Sequence, residues 1–139
     1  MKHYLFDASA FLILVKKADI QATAECLKDS SVLDLTFYEV GNAIWKESIL
    51  TKLLTPDESK TLEKATQTVL AKTDRITGDA ETFQRILEIA KKEKLSFYDS
   101  SYIYFAKERG LVLVTEDKEL KTKAQRHVDV RTVATLLSP

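Results

Sequence analysis

Leu111-Val112-Leu113-Val114 is an unbroken apolar run, and Thr115-Glu116-Asp117 follows it directly. A short aliphatic stretch with no polar alternation reads as a strand covered on both faces, as in a parallel sheet. Parallel neighbours need crossover connections, usually helices. The flanks supply them. Tyr98 to Glu108 has a helical pattern ended by Gly110, a good C-cap residue, and Asp117 to about Gln125 starts a further short helix. A brief strand at Val128 to Val130 and a turn or helix over Thr132 to Leu137 complete this end.

The same alternation runs back towards the N-terminus. His3 to Phe6 is a first strand with Asp7 at its end. Ala8 to Lys16 is a helix, and a second short helix lies near Ile20 to Lys28. Val32-Leu33-Asp34-Leu35 is the second strand. Thr36 to Leu53 reads as a long helix with Phe37, Val40, Ile44, Leu50 and Leu53 on its buried side. Thr55-Pro56-Asp57-Glu58 is a helix start, with Thr55 as N-cap, Pro56 at the first helical position and Glu58 closing a capping box. The helix it opens buries Leu62, Ala65, Val69 and Leu70. Lys72 to Ile76 is a short third strand. Asp79 to Lys92 is a helix with Phe83, Ile86, Leu87 and Ala90 on one face, and lysines near its end suit the negative pole of its dipole. Apolar runs alternating with helices define an α/β fold with a mainly parallel sheet.

The chain has 139 residues, which suits a single domain spanning 1–139. Its 21 basic and 21 acidic residues cancel, which argues against a broad non-specific nucleic-acid surface but allows a local basic rim. Cys26 is the only cysteine, so neither an intrachain disulfide nor a cysteine-rich zinc site is available. Ala8 to Val15 is too short to span a bilayer, and Lys16-Lys17 lies on the wrong side of it for a signal peptide. A cytoplasmic protein is expected.

In open parallel sheets, sites form beyond the carboxyl ends of the strands. Asp7 follows the first strand, Glu39 sits in the first turn after the second, and Asp117 lies just past Val114. Asp99 opens a helix that can face the same edge. Each acid also has an ordinary role as a helix cap or first-turn acid. Four converging carboxylates have no such routine explanation. Two of them about 4 Å apart repel by roughly 4 kcal/mol at an effective dielectric near 20. Within five residues before Asp7 the only cation is Lys2, and none occurs from Phe97 to Phe105. A hard divalent cation with oxygen ligands, magnesium or manganese, resolves that repulsion and activates water for hydrolysis. Ser9 can hydrogen-bond to a carboxylate, Thr115 can orient Asp117, and Asn42 and Lys46 continue the helix stripe begun by Glu39. Lys46, Lys118 and Lys121 are candidates to grip phosphates. Helix-start hydroxyls and solvated surface are the ordinary alternatives for these polar residues.

Leu5-Phe6-Asp7-Ala8-Ser9, Thr36-Phe37-Tyr38-Glu39-Val40-Gly41-Asn42-Ala43, Ser96-Phe97-Tyr98-Asp99-Ser100 and Leu113-Val114-Thr115-Glu116-Asp117 resemble, in order and spacing, the four motif blocks of PIN-domain nucleases. Within that family the chain is most similar to VapC-type toxins of toxin–antitoxin pairs. The resemblance implies a three-layer α/β/α sandwich around a parallel sheet. It implies endonucleolytic, magnesium- or manganese-dependent RNA cleavage leaving a 5′-phosphate and a 3′-hydroxyl. Asp7, Glu39, Asp99 and Asp117 match the metal-binding acids, and Ser9, Asn42 and Thr115 match polar positions beside them. A homodimer and a cognate antitoxin are the implied protein partners, the antitoxin placing a C-terminal segment in the acidic groove.

The competing reading is a catalytically silent protein of this fold whose acidic groove holds a basic partner segment. A phospho-accepting receiver domain fits less well, because no acid pair precedes Asp7. An Asp-x-Asp phosphatase is disfavoured because Ser9 stands where the second Asp belongs.

Overall fold

The structure, a computed structural model, describes residues 3–17 and 19–137. Five strands, β1 (Tyr4–Phe6), β2 (Ser30–Leu33), β3 (Asp74–Ile76), β4 (Val112–Val114) and β5 (Val130–Arg131), form one sheet in the order β3-β2-β1-β4-β5. All neighbours are parallel. Leu5 pairs with Leu113 on one side and Ser31 on the other. The helices are α1 (Ala8–Lys17), α2 (Ile20–Leu27), α3 (Asp34–Trp45), α4 (Pro56–Lys72), α5 (Ala80–Glu93), α6 (Phe97–Arg109), α7 (Lys118–Ala124) and α8 (Val133–Leu137).

Successive strand side chains point to opposite faces, and the sequence puts large aliphatic or aromatic groups on both. Phe6, Val32 and Val114 face a layer built from α1, α3 and α4, where Phe11, Leu14, Val40, Ile44, Leu62 and Val69 complete the packing. Leu5, Leu33 and Leu113 face the opposite layer, with Ile86 of α5, Tyr102 and Ile103 of α6 and Leu120 of α7. The result is the three-layer α/β/α sandwich expected from the sequence. Among the described residues, no helix is long and apolar enough to cross a membrane.

Local signals hold at most boundaries. Thr55 Oγ1 accepts from the Glu58 amide at 3.1 Å, while Glu58 Oε1 accepts from the Thr55 amide at 3.0 Å, the reciprocal capping box. Gly110 ends α6 in the left-handed conformation, φ 64°. Two expectations need correction. The second strand ends at Leu33, not Leu35, because the helix starts at Asp34 and the Thr36 hydroxyl accepts from the Leu33 amide at 3.0 Å. The long helix does not run to Leu53 with a continuous buried side. Its α-helical part stops at Trp45, and a π-helical turn covers Lys46–Leu50. Phe37, Leu50 and Leu53 are exposed, as is Phe83 of α5. Phe37 lies under the Arg75 guanidinium, 4.6 Å from its ring centre, and Phe83 packs on Phe97 at 5.3 Å. Helical spacing placed Phe37, Leu50 and Leu53 on a buried side and Phe83 on one face with Ile86, but the neighbouring layers do not cover them.

Candidate active site

The strand order reverses direction between β1 and β4. β2 and β3 extend the sheet on one side of β1, and β4 and β5 extend it on the other. Chains leaving β1 and β4 therefore diverge and open a crevice at their carboxyl ends. Asp7 follows β1 and Thr115 to Asp117 follow β4, so both fall on this crevice. The Asp7 amide still donates to the Val114 carbonyl at 3.1 Å, which fixes the two segments against each other.

Asp7 is buried, 5% exposed, and both its oxygens are used. Oδ1 accepts from the Ser9 hydroxyl at 2.7 Å and the Ala10 amide at 2.9 Å, and Oδ2 accepts from the Thr115 hydroxyl. Burial raises its pKa, and the donors from Thr115, Ala10 and Ser9 oppose that rise. Asp7 thus also caps α1, the ordinary role considered for it. Asp117 does the same for α7, its Oδ1 accepting from the Leu120 amide at 2.8 Å. Glu39, half-buried on α3, receives the Tyr102 hydroxyl on Oε1 at 2.7 Å, and burial raises its pKa as well.

Asp99 behaves differently. Ser96, not Asp99, caps α6. Among the described residues no hydrogen bond or ion pair reaches the Asp99 carboxylate. Its pKa is pushed up to about 6, first by burial and then by the charges of Asp117, Glu39, Asp7 and Glu119. The four acids therefore occupy one electrostatic neighbourhood. The ion pairs among the described residues, Lys16–Glu47, Arg126–Glu93 and His127–Glu93, involve none of them. Lys2 lies outside the described residues.

The fit to a divalent cation can be judged from the free lone pairs. An ionised carboxylate offers about four acceptor sites. Asp7 has three protein donors, Glu39 and Asp117 one each and Asp99 none, so hard oxygen sites remain on every acid. Among the described residues no three His, Cys, Asp or Glu side chains are drawn together as a ready-made cage. Magnesium does not require one, since it keeps several waters and binds through one or two carboxylates. The donor set fits such an ion.

The supporting residues divide. Ser9 and Thr115 are integral to the crevice. The Ser9 hydroxyl also accepts from the Glu116 amide at 3.1 Å, and the Thr115 hydroxyl from the Asp117 amide at 3.1 Å. Asn42 and Lys46 are exposed, and no hydrogen bond ties either side chain to the acids. Glu116 accepts from the Val133 amide at 2.9 Å and so secures α8, while Glu119 adds only to the field at Asp99. Sequence reasoning missed Tyr102 and Thr36, whose hydroxyls meet at 2.7 Å beneath Glu39. The available signal was a tyrosine within an otherwise buried helix face, since a buried phenol needs a polar partner.

The parallel three-layer sandwich places Asp7 and Asp117 beyond the strand ends where its strand order reverses, with Glu39 and Asp99 in the same electrostatic neighbourhood. Residues 4–125 match the PIN domain family model, and the chain belongs to the PIN-domain family, within its VapC-type group. It is 36% identical over 135 residues to Exonuclease VapC9 of Pyrobaculum aerophilum, covering 97% of this chain and 96% of that one. Ribonuclease VapC3 of the same organism is 29% identical over 121 residues, with coverages of 84% and 91%. The crystal structure of PAE2754 from Pyrobaculum aerophilum superposes with a TM-score of 0.81 at 34% identity, covering 98% of this chain and 94% of that chain.

Proposed function

We propose that the 139-residue chain is one magnesium- or manganese-dependent nuclease domain that hydrolyses RNA, and that it is the toxin of a toxin–antitoxin pair. The observation that carries this reading is the Asp99 carboxyl, raised to about 6 among Asp117, Glu39 and Asp7 with no Lys or Arg paired to any of them in the described residues. Such a site is incomplete without a cation. Glu39, Asp99 and Asp117 have the free oxygens to hold one, with Asp7 contributing its remaining lone pairs. When bound, the ion activates water and neutralises charge developing at phosphorus. Ser9 and Thr115 hold Asp7 in one orientation throughout. Lys46, Lys118 and Lys121 are the proposed phosphate contacts.

The relatives' names divide between exonuclease and ribonuclease. Endonucleolytic cleavage is the mode proposed, as the resemblance of the four motif blocks implies. Linear and circularised single-stranded RNA of one sequence, incubated with magnesium, manganese or EDTA, test the proposal. Both forms should be cut with metal and neither with EDTA. Cleavage of the linear form alone would establish an exonuclease, and no cleavage of either would favour the silent binding protein.

An antitoxin is the proposed partner. A groove of about 1150 Å³ between α3 and α4, lined by Phe37, Tyr38, Gly41, Trp45, Ile49 and Leu54, supports it. Such an apolar channel suits a partner segment better than a polyanion. A homodimer is proposed as well, supported by the exposed aromatics Phe83 and Tyr98, together with a cytoplasmic location.

A further inference from the structure

We propose that Tyr102 is a positioning residue, which holds Glu39 as an oriented anion through a hydrogen-bond chain anchored on the backbone of β2. The Leu33 amide lies 3.0 Å from the Thr36 hydroxyl, which lies 2.7 Å from the Tyr102 hydroxyl, itself 2.7 Å from Glu39 Oε1. A backbone amide can only donate, and an ionised carboxylate can only accept. Each hydroxyl between them has one hydrogen. The direction of the chain is therefore forced, from Leu33 N–H through Thr36 and Tyr102 to Glu39.

This arrangement repeats a pattern seen at Asp7. The Asp117 amide donates to Thr115, whose hydroxyl donates to Asp7, and the Glu116 amide donates to Ser9, whose hydroxyl donates to the other oxygen of Asp7. In the two chains at Asp7 a main-chain donor polarises the hydroxyl aimed at the acid, and in the chain at Glu39 it acts through one further hydroxyl, Thr36. Tyr102 is 1% exposed and Thr36 is fully buried, so water does not substitute for either. Oε1 of Glu39 is thereby occupied, while Oε2 receives no protein donor among the described residues and stays available as a ligand. The chain also joins β2, α3 and α6, so the orientation of Glu39 is set by three elements. Outer residues of this kind orient metal ligands, and their loss typically weakens metal affinity about 10- to 100-fold.

The inference rests on the reading of the acids as a cation site. Its test is Mn2+ titration followed by electron paramagnetic resonance of the free ion, with melting temperatures taken in EDTA. Tyr102→Phe, which removes only the hydroxyl, should weaken Mn2+ binding about 10-fold or more. Thr36→Val should weaken it too, and Thr36→Ser, which keeps the hydroxyl, should bind as the wild type does. Should Tyr102→Phe fail to fold, the Thr36→Val and Thr36→Ser pair decides the question. A merely structural role would lower the melting temperature in EDTA and leave Mn2+ affinity unchanged, and that result would overturn the proposal. Wild-type protein that takes up no Mn2+ would overturn the cation-site reading and the positioning role together.

Discussion

The Asp99 carboxyl combines partial burial, three neighbouring site acids and no protein donor, and its pKa of about 6 records the sum. A carboxyl whose pKa is higher folded than unfolded is penalised when ionised. Below about 4 both states are protonated and the penalty is absent. It grows as pH rises from 3.8 to about 6 and is constant above that. In EDTA, Asp99→Asn should therefore stabilise the protein above pH 6, by about 1–2 kcal/mol after allowance for solvent screening. Below pH 4 it should have little effect. Urea unfolding across this range checks both limbs. Magnesium should reverse the ranking, because an ion bound only to the native state raises its stability. Asp7 makes the complementary case, with three donors locking its carboxylate. Asp7→Asn should abolish metal-dependent RNA cleavage while leaving the far-ultraviolet circular dichroism spectrum unchanged, and cleavage at the wild-type rate would remove Asp7 from the site.

Between elements, the polar links are few and specific. The buried Glu93 carboxylate at the end of α5 receives Arg126 at 2.7 Å and His127 at 2.6 Å, tying α5 to the segment after α7. These partners hold its pKa below the usual value, the His127 hydrogen bond most strongly. A depressed carboxylate pKa contributes stability above its unfolded value of 4.5 and loses it as pH falls through the folded value. Glu93→Gln should thus lower the melting temperature at pH 7, and the gap to wild type should close as pH falls below 4.5 and through the folded value. A constant gap across that range would show that packing, not charge, is lost. The π-helical turn after α3 is a second inter-element feature. It diverts Leu50 outward, and the apolar side of α3 that continues as Trp45 and Ile49 becomes a wall of the groove instead of core.

Across the molecule, two apolar layers share one sheet, and β4 contributes to both. Leu113 is fully buried in one layer and Val114 in the other. Leu113→Ala should cost about 2–5 kcal/mol of unfolding free energy, through lost transfer energy and an unfilled cavity. A shift in the urea midpoint with an unchanged slope would confirm it, and a loss under 1 kcal/mol would mean that the sheet relaxes to fill the space. The same strand delivers Thr115 and Asp117 to the crevice, so the core and the site share one support. Neutral overall charge conceals this arrangement, because the ion pairs among the described residues involve none of the acids of the crevice.

Much of this was legible along the chain. Apolar runs such as Leu111 to Val114 marked the strands, Thr55 to Glu58 and Gly110 marked helix ends, and Asp7, Glu39 and Asp117 fell beside strand ends. Those signals are local, set by backbone geometry and by which side chains can tolerate water. The chain from Leu33 through Thr36 and Tyr102 to Glu39 could not be read in that way, nor could the exposure of Phe37, Leu50 and Leu53. Thr36 and Tyr102 are 66 residues apart and meet because α3 and α6 converge at the sheet edge. Burial of an apolar residue depends on whether another layer reaches it, and a hydroxyl's partner depends on what folding brings within 3 Å. Only long-range packing sets either.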